Sequence, residues 1–151
     1  MVRPILTALA LALTFALAQT GAAQTQQWDQ AAVTESAGKL RAAIDGLRDV
    51  LMSSPQIENP ATRKYMFQIM DNLRQMEFSS QTLHSYLKKG SGMEETLPTY
   101  NRLQQLRRET EVLSRRVDIT AVTQPKLDEA RTWLAKIEPY YPAQPTVQDL
   151  K

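Results

Sequence analysis

The chain contains no cysteine. That absence excludes disulfides, thiolate metal sites, a thiol nucleophile, covalent c-type haem and lipidation at an N-terminal cysteine. Histidine is nearly as scarce, with His84 as the only one. Di-iron bundles need paired Glu-x-x-His motifs, and here Glu77 lies seven residues before His84. No G-x-S-x-G elbow, H-E-x-x-H helix or glycine-rich phosphate loop is present. Charge of one sign is lacking too, since 18 basic residues face 16 acidic ones. A nucleic-acid binder carries a basic patch or stripe, and none is visible. No alternating apolar run bounded by turns suggests a strand.

The longest apolar run is Ile5 to Ala18, interrupted by Thr7 and Thr14. A spanning helix needs about 20 apolar residues, so this run is short for an anchor. Arg3 precedes it, and Gly21-Ala22-Ala23 follows with small residues where a signal peptidase cuts. The pattern predicts a signal peptide over 1–23, with no stable membrane span after its removal. Secreted eukaryotic domains of this size usually carry disulfides, so a bacterial periplasm or exterior is expected. The remainder has the length of one domain with a substantial core.

Four apolar seams fill that remainder. The clearest is Met66, Ile69, Leu73, Met76, Ser80, Leu83 and Leu87, in steps of three and four that mark positions a and d of a long amphipathic helix. Val33, Ala37, Leu40, Ile44, Leu47 and Leu51 repeat the rhythm, as do Leu103, Leu106, Thr110, Leu113 and Val117. Leu127, Ala130, Leu134 and Ile137 form a shorter fourth seam.

Punctuation separates the seams. Asp29 favours a helix start, and Ser53-Ser54-Pro55 ends the first helix. Asn59-Pro60 predicts the second start, and Lys88-Lys89-Gly90 supplies cations and then a left-handed cap. Ser91 and Glu94 have capping-box spacing. Pro98 argues instead for a third helix starting near Leu97. Thr123-Gln124-Pro125 opens the fourth helix and Pro139 stops it.

The expected fold is all-α: an antiparallel up-down-up-down four-helix bundle over 24–141, followed by a flexible C-terminal tail over 142–151. The alternative is an extended coiled-coil oligomer, which the glycine and proline breaks disfavour.

Residues off the seams supply the candidate sites. Phe67 at position b and Phe78 at position f point away from the expected core, with Met70 at the edge of that face. These three form a candidate partner surface. The predicted path also brings Trp28, Tyr86, Tyr100, Tyr140 and Tyr141 to one end, as a plug or a shallow site. Met66, Met70, Met76 and Met93 do not converge as a copper site would require. Arg107 to Glu111 reads as an i,i+4 pair on the solvated side. The functional expectation is an exported, non-catalytic bundle without a cofactor that binds another protein or an envelope component. The alternative is a bundle binding a small ligand or a metal, as haem or copper.

Overall fold

A computed structural model describes residues 26–117 and 123–142. The signal peptide expected over 1–23 and all of the tail beyond Pro142 lie outside the described residues. The fold is a helical bundle of α1 (Gln30–Met52), α2 (Arg63–Lys88), α3 (Met93–Ser114) and α4 (Gln124–Ile137). Among the described residues there is no strand.

Local chemistry explains most boundaries. Asp29 caps α1 by accepting the Ala32 N–H at 3.0 Å. Beyond α2, Gly90 takes φ +90. The Gly90 N–H then reaches Leu87 O at 3.0 Å, and the Ser91 N–H reaches Tyr86 O at 3.1 Å. This is the paired C-terminal cap that favours glycine at its left-handed position.

Two starts differ from expectation. Asn59 caps a turn, with its side chain accepting the Ala61 N–H, and α2 begins only at Arg63. The third helix begins at Met93, four residues before the expected start. There the Glu95 carboxylate accepts the Gly92 N–H at 3.2 Å, one position beyond the Ser91–Glu94 pairing. Negative charge on Glu94 and Glu95 favours that terminus, and the helix continues through Pro98 in its second turn.

α2 packs against α1 and α3, and α4 packs on α1. α3 and α4 flank the central pair, and side chains from both line the seam between them. Leu40, Ile44, Leu73, Leu83, Leu103, Leu106 and Ile137 are buried at the centre. Leu113, expected in the core, is only half-buried because it borders the surface between α2 and α3. Hydrogen bonds also join residues at the helix ends. Gln30, opening α1, donates to Leu87 O at 2.7 Å and to Ser91 O at 3.2 Å. The Gln26 N–H donates to Pro139 O at 2.7 Å.

The two glycines inside α1 differ in role. A Cβ on Gly38 would stand 3.0 Å from His84 Nε2, so the bare glycine lets the imidazole of α2 lie against α1. A Cβ on Gly46 would meet Lys126 Cδ at 3.6 Å, an ordinary contact. Gly46→Ala is therefore expected to raise stability by up to about 1 kcal/mol, through helix propensity alone. Urea denaturation checks it, with an unchanged slope and a higher midpoint.

Candidate functional site

Pro139 cannot continue the α-helical hydrogen-bond pattern, and α4 gives way to a 3-10 turn at Glu138–Tyr140. That turn directs Tyr140 and Tyr141 into the bundle end, where both are buried. The Tyr141 ring stacks on Tyr100 of α3, with centroids 4.0 Å apart and 7° between planes. Trp28 meets Tyr141 edge-on at 5.7 Å and Tyr140 at 6.3 Å. Such geometries add stabilisation beyond buried area.

The polar atoms of this cluster are paired. Tyr141 Oη lies 2.7 Å from Thr96 Oγ1. Gln104 donates to Tyr100 Oη at 2.5 Å, and Gln26 donates to Tyr140 Oη at 3.2 Å. The Trp28 indole N–H donates to Gln30 Oε1 at 2.8 Å. Burial raises the Tyr141 phenol to about 12, against the opposing hydrogen bond from Thr96. Burial likewise raises Tyr100, partly offset by the Gln104 bond. Four of the five expected aromatics thus form a packed closure. Tyr86 does not join them: it is 43% exposed and makes none of the ring contacts. Leu83 and Leu87 take the inward positions of that turn, so the intervening Tyr86 points aside.

The opposite chemistry prevails on the outer face of α2. Phe67 is 61% exposed and Phe78 is 71% exposed, whereas Met70 is half-buried against the core. The eleven-residue spacing puts the two rings nearly in line, roughly 16 Å apart along the helix axis. An Asp71–Arg74 ion pair at 2.7 Å stands between them. Beside Phe67 lies an open hollow bordered by Asp71, Asn72, Glu109 and Leu113.

Beneath the seam between α3 and α4 are two small apolar spaces of about 40 Å³ each. Ligand pockets typically measure about 300–1,000 Å³, so neither accommodates a haem-sized group as it stands. A polar line runs above these spaces. Arg107 joins Gln104 at 2.9 Å and Glu111 at 3.0 Å, and Arg131 of α4 approaches the same Glu111 oxygen at 4.0 Å. The Arg107–Glu111 pair, expected on the solvated side, is instead half-buried at this seam. Its i,i+4 spacing was visible in sequence, but its facing helix was not. A second pair, Arg48–Glu77, joins α1 to α2 across residues that no sequence spacing connects.

His84 stands apart from these features. Its pKa is lowered, first by burial and then by the Lys88 and Arg41 charges. The unfolded chain therefore binds a proton before the folded one does as pH falls. Stability should decline on acidification below 6.5, and His84→Gln should remove that part of the decline. Denaturant melts on either side of that pH test it. Among the described residues, no group of three or more His, Asp or Glu side chains is placed to hold a metal.

The geometry defines a helical bundle closed by aromatics at one end and bearing two exposed phenylalanines along one helix. No protein-family model, curated protein or solved structure matches the chain.

Proposed function

We propose that the protein is an exported, non-catalytic helical bundle that binds another protein or an envelope component through the outer face of α2. The observation carrying this reading is the exposure of Phe67 and Phe78 in a helix whose other face is fully used for packing. Exposed aromatics neither strengthen the core nor favour solubility, and they are well suited to anchor a partner. The sequence supports the same reading, since it lacks recognisable catalytic motifs and begins with a leader-like segment.

Cross-linking in the native host, with identification of the captured species, tests the proposal. The wild-type chain is expected to give a recurrent adduct. Phe67→Ser/Phe78→Ser is expected to lose it while stability stays within about 0.5 kcal/mol, as for ordinary surface substitutions. Unchanged adducts in the double variant contradict the assignment. A large loss of stability would show instead that the two rings are structural. Intact mass of the exported chain tests export separately, with an expected start at Gln24.

A further inference from the structure

Along the outer side of α2, the exposed residues Phe67, Asp71, Arg74 and Phe78 follow one another in steps of four, three and four. Those steps hold all four on one helical stripe. The Asp71–Arg74 ion pair between the rings is itself open to solvent, with side chains 50% and 75% exposed.

The stripe has the same order of residues from either end, apart from the sign of charge. Phe67 and Phe78 each lie five and a half residues from the midpoint between Asn72 and Leu73. Asp71 and Arg74 each lie one and a half residues from it. When two α2 helices run antiparallel, a two-fold rotation at that midpoint therefore sets aromatic against aromatic and acid against base. In a parallel pairing Asp71 would meet Asp71 and Arg74 would meet Arg74, and like charges repel.

An isologous dimer requires one patch that is complementary to itself. This stripe carries one acid and one base, so it presents no excess charge to a second copy. The hollow beside Phe67, bordered by Asn72 and Leu113, leaves room for an incoming ring.

We propose that the outer face of α2 pairs antiparallel with the same face of a second copy of this chain. Phe67 of each copy packs against Phe78 of the other, on either side of a quartet of alternating charges formed by the two Asp71–Arg74 pairs. The rings supply buried apolar contact, and the charges fix direction and register. The inference rests on the preceding reading and names the protein bound at this face as the chain itself. A patch of about three helical turns is small, so the dimer is a dissociable one that dilution separates.

Sedimentation equilibrium of the exported chain tests it. The mass is expected to rise from one chain to two as concentration increases from low micromolar towards millimolar. Asp71→Arg gathers four arginines at the centre of the interface, and Arg74→Asp gathers four aspartates. Each variant alone should associate more than roughly tenfold less tightly than wild type. Mixing the two should restore association, because each supplies the charges the other lacks. Asp71→Arg/Arg74→Asp should also dimerise, since the exchange keeps acid against base. Circular dichroism checks that the variants fold. If a single variant misfolds, the double exchange should still keep the dimer and Phe67→Ser/Phe78→Ser should still lose it. Monomers at every concentration, undiminished association by a folded single variant, or a mixture that stays monomeric overturns the proposal. Cross-linking in the native host separates it from the preceding reading. Capture of a different chain that is lost in Phe67→Ser/Phe78→Ser, with monomers in solution, overturns this inference and leaves that reading standing. Adducts unchanged in the double variant overturn both.

Discussion

Tyr141→Ala is expected to lower the unfolding free energy by about 3–5 kcal/mol, the range for removing a large buried aromatic side chain. The ring is only 3% exposed and contacts Tyr100 and Trp28 through its face and edges. Its loss opens the end of the bundle and weakens the attachment of α4 to α3. Tyr141→Phe keeps the ring and removes only the bond to Thr96, so about 1 kcal/mol is expected. Thr96 retains its own contacts to Gly92 O and Met93 O, which limits that smaller cost. Denaturant melts of both variants should separate ring packing from hydroxyl pairing.

The raised phenol gives the same residue an alkaline signature. Tyr141 holds its proton more tightly when folded, because burial disfavours the phenolate. Its contribution is complete below pH 10 and is lost as pH rises from 10 towards about 12. Tyr141→Phe should flatten that part of the alkaline decline.

Leu73→Ala is the second large effect. Leu73 is 1% exposed and borders both small spaces beneath α3 and α4. Truncation would enlarge and join spaces that the surrounding helices do not already fill. A loss of about 2–5 kcal/mol is expected, from lost apolar transfer together with the residual cavity. Urea denaturation provides the test, and a loss within error would place Leu73 outside the core.

The residues that sequence located best were those whose environment is set by their own helix. Along α2, every apolar seam position from Met66 to Leu87 is buried, because a regular helix keeps steps of three and four on one side. Gly90 was legible for a similar reason, since cations followed by glycine form a local stop signal. Phe67 and Phe78 could be placed outward by subtraction from the same seam.

Tertiary partners were harder to read. Pro98 outweighed the nearby acidic residues in locating the α3 start, although Gly92 and Glu95 form a workable cap that starts the helix at Met93, four residues before Leu97. Tyr86 belongs to the correct end but the wrong side of α2, a distinction its neighbours Leu83 and Leu87 already implied. The half-burial of Arg107 and Glu111 depends on the position of α4, which no pattern within α3 encodes.

Site-specific thiol labelling tests the central claim that the outer face of α2 meets a partner. The natural absence of cysteine makes an introduced thiol the only one in the chain. Gln81→Cys places it one turn from Phe78 and preserves both phenylalanines. Ala135→Cys places a control on the exposed face of α4. In intact cells, maleimide labelling of Gln81→Cys should be slower than in the purified protein, while labelling of Ala135→Cys should change little. Equal rate ratios at the two positions would contradict a covered α2 face and, with it, the proposed function.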